Sequence, residues 1–267
     1  MFKKGSWQYR VYRVLRLLAV GYGTLLLFAC TMADRMIFMP PPASYSLTDE
    51  GVVQFGVAKE FSGIYRPTSE AGTPTLLWAH GNAEDAGSVD EVASLFSRQG
   101  FGVMVYDYPG YGHSKGKPNE QGVYRSADAA YDFLTKEQGV PPEMIVLVGQ
   151  SVGGGSASYL AEEGKGAGLV LISPFKSAFR VITKVKVLPW DRFDNLKRMG
   201  KIEMPLLVIH GDVDEVIPHD HGIALYEKHS GPKEMLGLKG VGHNDLWALA
   251  NQAVVEAIEE FWSRIER

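Results

Sequence analysis

The sequence predicts an α/β fold in which a mostly parallel sheet of about eight strands carries helices on both faces. One observation is that short, nearly continuous apolar runs recur along the chain, which is typical of strands buried on both faces of a sheet. A second observation is that the stretches between these runs place apolar residues at helical spacing. The runs are Thr75–Ala79, Val103–Tyr106, Met144–Val148, Leu169–Ile172 and Leu206–Ile209.

The first and last elements of the predicted sheet depart from this pattern. Apolar and polar residues alternate in Val52–Val57 and again in Phe61–Tyr65, which predicts an opening hairpin. A last strand is expected at Lys233–Leu238. A long amphipathic helix should follow it, with apolar residues at helical spacing from Leu246 to Phe261.

Length and composition are those of a globular domain of ordinary size with a real hydrophobic core. The chain has 267 residues, of which 45% are hydrophobic and 22% are charged, and its formal net charge is -4 at pH 7. Such a charge provides no basic field for nucleic acid, so no nucleic-acid partner is expected. The single cysteine, Cys30, excludes an intrachain disulfide and a metal site built from thiolates.

The first 36 residues are basic and then apolar, and we expect them to form a signal or membrane-anchor segment. Lys3, Lys4 and three arginines precede the uncharged stretch Leu17–Ala33, which approaches the length of about 17 residues that spans a bilayer. One interpretation is an uncleaved anchor with its basic residues in the cytoplasm. The other is a lipobox at Leu27–Cys30 with Cys30 lipidated. Both predict a membrane-associated protein of the cell envelope.

The folded domain is expected to occupy residues 37–267. The stiff spacer Pro40–Pro42 near its start ends any preceding helix. Within the domain, the basic segment 174–200 is short and predicts a small lid of one or two helices. Its basic residues form either a solvated face or a surface for anionic lipid headgroups.

Ser151 is the candidate nucleophile. The segment Gly149–Gly153 has the pattern Gly-x-Ser-x-Gly, which places a serine on a tight turn between a strand and a helix. It follows the run Met144–Val148 and precedes a stretch of small residues, which is the context that this motif requires. At the start of such a helix, backbone N–H groups face the oxyanion that forms during attack.

We expect the backbone N–H groups of Asn82 and Val152 to form the oxyanion hole. Asn82 lies in the loop after the first apolar run, and Val152 follows the nucleophile. These two positions supply the donors in an arrangement of this kind. His80 lies in the same loop but precedes the serine, so we expect it to bind loop backbone rather than to act as a base.

His243 is the candidate base, and Asp214 is the candidate acid that orients it. His243 lies in a glycine-containing loop before the last helix, and the two residues follow Ser151 in the chain order Ser, Asp, His. The carboxylate would fix the tautomer of the imidazole and stabilise its protonated form. Asp212 and Glu215 are the alternatives for the acid. We expect Asp212 to serve the turn and Glu215 to be solvated.

No metal site and no cofactor are expected. His219 and His221 stand two residues apart without an evident third ligand, which favours a solvated helix start over a metal site. Tyr108 and Tyr111 follow the second apolar run, and they are candidates for the wall of an acyl pocket.

Six motifs occur in an order that resembles the membrane-anchored, single-domain branch of the alpha/beta-hydrolase superfamily. That branch includes protein depalmitoylases and uncharacterised bacterial and fungal hydrolases. The resemblance runs from about Ile37 to the C-terminus, and it implies the alpha/beta-hydrolase fold, serine esterase or thioesterase chemistry without a cofactor, and the acid role for Asp214. The motifs are His80–Ala83, Asp107–Gly112, Gly149–Gly153, Ser173–Phe175, His210–Pro218 and Gly240–Asp245.

The sequence therefore predicts a serine hydrolase that cleaves small acyl esters or thioesters through an acyl-enzyme intermediate. A serine peptidase or a protein depalmitoylase that uses the same three residues is the alternative among enzymes. A membrane-tethered binding protein that merely retains the fold is the alternative from another class. The ordered Ser, Asp and His residues argue against it.

Overall fold

Eight strands form one sheet in the computed structural model, which describes residues 6–265. The strands are β1 (Val52–Phe55), β2 (Phe61–Arg66), β3 (Thr75–Ala79), β4 (Gly102–Tyr106), β5 (Ile145–Gln150), β6 (Gly168–Ile172), β7 (Leu206–Gly211) and β8 (Lys233–Leu238). Their order is β1-β2-β4-β3-β5-β6-β7-β8. β2 pairs antiparallel with β1 and β4, and all other pairs are parallel. The predicted architecture is confirmed.

Helices cover both faces of the sheet, as predicted. On one face, α2 and α8 pack on alternate apolar residues of the central strands, among them Trp78, Val148 and Ile209. On the other face, α3 contacts α4, which also contacts β3, β5 and β6. The α-helices that follow β1 along the chain are α2 (Asp90–Ser97), α3 (Glu120–Asp132), α4 (Gly153–Glu162), α5 (Ala178–Thr183), α6 (Asn195–Met199), α7 (Asp220–Lys228) and α8 (Leu246–Ile265).

The chain divides into two compact units, Met1–Phe38 and Met39–Arg267. The first unit contains α1 (Trp7–Ile37), a helix of 31 residues that begins after Ser6, whose side chain accepts a hydrogen bond from the N–H of Tyr9. By length and composition α1 can cross a membrane, and a signal sequence near the N-terminus meets the same criteria. The predicted basic start at Lys3 and Lys4 lies outside the described residues.

The segment 174–200 holds two short helices, α5 and α6, between β6 and β7. The last helix differs from the predicted continuous one because Ala250 has non-helical angles, with φ of -137°, that kink α8. Since β3 to β8 run parallel, their carboxyl ends meet at one edge of the sheet. The loops that carry the candidate catalytic residues leave this edge, which is where open α/β sheets bind their ligands.

Candidate active site

Ser151 occupies a tight turn between β5 and α4. Its φ of +51° lies in the left-handed region, which costs free energy in a residue other than glycine. Its N–H donates a hydrogen bond to the carbonyl oxygen of Ile172 at 2.9 Å, which fixes the turn against the end of β6. A Cβ on Gly149 would lie 2.6 Å from the Cα of Gly154, so the strand and helix approach too closely there for any other residue.

The structure brings Ser151, His243 and Asp214 together from three separate loops. His243 Nε2 lies 3.2 Å from Ser151 Oγ, and His243 Nδ1 lies 2.7 Å from Asp214 Oδ2. The Asp214 side chain is fully buried, whereas that of His243 keeps some exposure to solvent. With a proton on Nδ1 facing the carboxylate, Nε2 is free to accept the hydroxyl proton of the serine.

The carboxylate of Asp214 is held by four donors. Oδ1 accepts hydrogen bonds from the N–H groups of Val216 at 3.0 Å and Ile217 at 2.7 Å. Burial raises the pKa of Asp214, but hydrogen bonds from His210, His243 and the Ile217 N–H outweigh burial and hold this pKa well below its usual range. The group is therefore charged at neutral pH, as the orienting role requires.

His210 is a partner of Asp214 that the sequence analysis missed. It is fully buried, and its Nε2 lies 2.9 Å from the carbonyl oxygen of Ile217 and 3.2 Å from Asp214 Oδ2. Both neighbours are acceptors, so Nε2 carries a proton. Asp214 Oδ2 thus lies between two imidazoles. A histidine at the end of a buried strand was visible in the sequence, but nothing there indicated which group it faces.

We expect His210→Phe to lower kcat about tenfold to a hundredfold, since a hydrogen bond to a charged group contributes about 1.5–3 kcal/mol. KM should change little, because His210 is fully buried and does not contact bound substrate. His210→Gln keeps an N–H donor and should recover part of the activity. Steady-state kinetics of the two variants at equal thermal stability is the measurement. A wild-type kcat in His210→Phe would show that the contact does not position Asp214.

The two alternative acids serve the loops around the site. Asp212 Oδ1 accepts a hydrogen bond from the N–H of Gly240 at 2.6 Å, which joins the loops after β7 and β8. Glu215 is exposed, as expected, and its Oε2 also accepts a hydrogen bond from the N–H of His243 at 3.3 Å. Both carboxylates therefore bind the backbone of the loop that carries the base.

His80, Tyr108 and Tyr111 pack against one another in the core. His80 is fully buried, and its Nδ1 lies 2.7 Å from the carbonyl oxygen of Gly81. Tyr108 and Tyr111 are also fully buried, with the Tyr108 hydroxyl donating to the carbonyl oxygen of His80 at 2.6 Å. The expectation that these tyrosines wall an acyl pocket is therefore wrong, because their hydroxyls bind the loop after β3 and their rings fill the core.

The two predicted oxyanion residues lie in the loop after β3 and directly after the nucleophile. Asn82 is held through its side chain, whose Oδ1 accepts hydrogen bonds from the N–H of Met39 at 2.9 Å and the hydroxyl of Tyr111 at 2.7 Å. Val152 directly follows Ser151 and precedes the first turn of α4. The assignment of their N–H groups to the oxyanion hole stays a prediction.

His221 corrects the prediction of a solvated helix start. It is buried, and its Nδ1 accepts a hydrogen bond from the N–H of Lys176 at 3.2 Å. Desolvation, together with the charge of Lys176, lowers the pKa of His221 to about 4. Among residues 6–265, no group of three or more histidine, cysteine or acidic side chains is arranged to hold a metal ion.

Buried His221 is expected to make the protein less stable in acid. Its pKa is about 4 when folded, against an ordinary value of 6.5, so the unfolded chain binds the proton more tightly. The stability linked to neutral His221 is fully present above pH 6.5 and is lost as the pH falls toward 4. Each unit of pKa difference corresponds to about 1.4 kcal/mol.

Urea denaturation across this pH range measures the effect, with His221→Asn as the matched control because asparagine keeps an acceptor near the position of Nδ1. The free energy of unfolding should fall less steeply with acidification in the variant. Equal slopes in the two proteins would contradict the assignment.

Comparison with known proteins gives a match over residues 73–193 to the family described as serine aminopeptidase, S33. Alpha/beta hydrolase domain-containing protein 17B of Xenopus laevis is 42% identical over 176 residues, which cover 64% of this chain and 61% of the relative. The chain thus spans less than two thirds of that relative. Alpha/beta hydrolase domain-containing protein aho-3 of Caenorhabditis elegans is 34% identical over 251 residues, which cover 82% of this chain and 74% of the relative.

Solved structures with similar folds include a monoacylglycerol lipase from Paleococcus ferrophilus, with a TM-score of 0.61 at 24% identity. That match covers 76% of this chain and 99% of the other. Est1E from Butyrivibrio proteoclasticus, solved with ferulic acid bound, has a TM-score of 0.67 at 18% identity. That match covers 79% of this chain and 98% of Est1E. This likeness confirms the fold class predicted from the sequence.

Proposed function

This chain belongs to the alpha/beta-hydrolase superfamily and is a hydrolase, and from that premise we propose that it cleaves carboxylic ester or thioester bonds through an acyl-enzyme intermediate on Ser151. The observation that carries the proposal is the hydrogen-bonded series from Ser151 Oγ through His243 to Asp214. A serine hydroxyl is a weak nucleophile until a neighbouring base removes its proton. The retention of this geometry argues against a silent binding protein.

In the proposed mechanism, His243 Nε2 takes the hydroxyl proton of Ser151 while Oγ attacks the substrate carbonyl carbon. The imidazolium that forms is stabilised by the charged carboxylate of Asp214. The N–H groups of Asn82 and Val152 donate to the developing oxyanion, and each such donor stabilises the transition state by about 3 kcal/mol.

Collapse of the tetrahedral intermediate breaks the bond to the leaving group, which departs as an alcohol or thiol after taking the proton from His243. A water molecule then attacks the acyl-enzyme while His243 again accepts a proton. The second collapse releases a carboxylic acid and returns the proton to Ser151 Oγ. Each cycle consumes one water molecule and restores the hydroxyl proton of Ser151, so the reaction needs no cofactor. The carboxylate of Asp214 keeps its charge throughout.

We also propose that the N-terminal segment attaches the protein to a membrane. Its support is the length and apolar composition of α1. A transmembrane anchor and a lipid on Cys30 remain the two forms of this attachment, and Cys30 is exposed. The mass of the protein extracted from membranes distinguishes them, because lipidation follows cleavage before Cys30 and adds acyl groups.

A serine peptidase is a second candidate because the matched family model is described as a serine aminopeptidase. The experiment that separates the candidates compares p-nitrophenyl esters of increasing acyl length, acyl thioesters and aminoacyl p-nitroanilides. We expect turnover of esters and thioesters, with the acyl-length profile narrowing the substrate. Turnover of anilides alone would replace the proposal with the peptidase.

A further inference from the structure

Apolar side chains point into solvent at the tip of the lid. We use the term lid tip for residues 182–186, at the end of α5. Ile182 is 70% exposed and Val185 is 64% exposed. Lys184 and Lys186 are exposed beside them. Large apolar side chains grouped in this way on a surface mark an interaction site more often than single exposed ones do.

The lid tip has a fixed conformation. Lys184 ends α5 in the left-handed region, with φ of +60°, and its N–H donates to the carbonyl oxygen of Arg180 at 3.0 Å. The Thr183 hydroxyl lies 2.9 Å from the carbonyl oxygen of Phe179 and 2.7 Å from that of Val185. These hydrogen bonds close a turn that holds Ile182 and Val185 outward.

The base of the lid is held by a buried carboxylate. The Asp191 side chain is only 1% exposed and accepts hydrogen bonds from the Ser177 hydroxyl at 2.6 Å and the N–H of Phe179 at 3.2 Å. Arg180 Nε lies 3.5 Å from the same carboxylate. The tip is therefore joined to a base that these contacts hold together.

The charge of the lid tip is entirely positive. No acidic residue occurs between Lys176 and Trp190. Lys176 pairs with Asp220 outside the tip, but Lys184 and Lys186 form no ion pair with any residue in the described range 6–265. Apolar side chains alternating with lysines suit the boundary between the headgroups and acyl chains of an anionic bilayer.

Chain connectivity favours a bilayer as the partner. Only Phe38 separates the last residue of α1 from Met39. The N–H of Met39 is bound to Asn82 in the loop after β3 and to Tyr111 in the loop after β4. Along the chain, a membrane-attached α1 would therefore be followed within two residues by Met39. The lid follows β6, and β5 alone separates β6 from β3 in the sheet. The lid and the loop after β3 therefore leave the same edge of the sheet.

We infer that the lid tip is a membrane-contact surface, in which Ile182 and Val185 enter the bilayer interface and Lys184 and Lys186 bind anionic headgroups. The inference rests on the proposed membrane attachment. It gives the lid a role in orienting the protein, so that the edge of the sheet that carries Ser151 faces the bilayer.

Lysine acetylation read by mass spectrometry tests the inference on the wild-type full chain in phosphatidylcholine vesicles with and without phosphatidylglycerol. Lys184 and Lys186 should react severalfold more slowly in the anionic vesicles. Lys59 is the matched control, because it is an exposed lysine with a positive φ of 49° in another turn. Its rate should be the same in both vesicles.

The double variant Ile182→Asn/Val185→Asn should lose the protection of both lysines, whereas Val57→Asn, at an exposed turn residue remote in sequence, should keep it. Equal thermal unfolding of the variants excludes misfolding as the cause. Protein that floats with anionic vesicles but shows no protection overturns the lid contact. Protein that does not float overturns the attachment and the lid contact with it. Hydrolysis of a soluble ester is measured separately, and its absence would overturn the proposed reaction alone.

Discussion

Ser151→Ala is expected to lower kcat by about a millionfold for every substrate that the wild-type protein hydrolyses. The reason is that, within residues 6–265, Ser151 Oγ is the nucleophilic group found at hydrogen-bond distance from His243 Nε2, at 3.2 Å, whereas the rest of the site remains in place. The residual rate should come from binding and the oxyanion hole alone. Initial rates with a short-chain p-nitrophenyl ester provide the measurement.

A double variant supplies the control for this prediction. His243→Ala should cost about as much as Ser151→Ala, and the two changes together should cost little more, because residues that act as a unit give strongly non-additive losses. Thermal unfolding should remain close to that of the wild type in all three proteins. Activity of Ser151→Ala within tenfold of the wild type would exclude Ser151 as the nucleophile.

Gly153→Ala should have the largest effect on stability, with a loss of about 3 kcal/mol in the free energy of unfolding. A Cβ at this position would collide with the backbone of Ala79, lying 2.6 Å from its carbonyl carbon and 2.8 Å from the carbonyl oxygen of His80. Backbone cannot move aside as a flexible side chain can. Relief of the collision would displace the start of α4, and with it the N–H of Val152, so activity should fall as well.

The neighbouring glycine is a matched control for this substitution. A Cβ on Gly154 meets nothing closer than 3.6 Å and the residue does not have a positive φ. Gly154→Ala should therefore be neutral or more stable by about 0.4–1 kcal/mol, because alanine restricts the unfolded chain. Urea denaturation of both variants measures the two free energies of unfolding and allows them to be compared. Equal stability of Gly153→Ala and Gly154→Ala would show that the close approach of α4 to β3 does not exist.

The central strands were predictable because they are buried throughout. β3, β4 and β6 are covered on both faces along their whole length, so their sequences are continuous apolar runs. The antiparallel start was predictable for the opposite reason, since in β1 the exposed Gln54 lies between the partly buried Val53 and the buried Phe55. The kink at Ala250 in α8 was not predictable from the sequence, because the apolar residues around it keep ordinary helical spacing.

The candidate site was predictable where a motif fixes local geometry. The turn at Ser151 needs small residues at fixed positions on either side of the serine, and the segment Gly149–Gly153 supplies them as Gly149 and Gly153. The contact between His210 and Asp214 could not be predicted, since it depends on how the loop after β7 folds back. The burial of Tyr108 and Tyr111 depends likewise on distant packing against His80.

Labelling with a fluorophosphonate, followed by peptide mass spectrometry, tests the central claim most directly. The probe phosphonylates a serine only when a neighbouring base activates its hydroxyl. We expect one modification, on the peptide that contains Ser151, and its loss when His243 is replaced by alanine. A folded wild-type protein that takes no label, or takes it on another residue, would contradict the assignment of Ser151, His243 and Asp214.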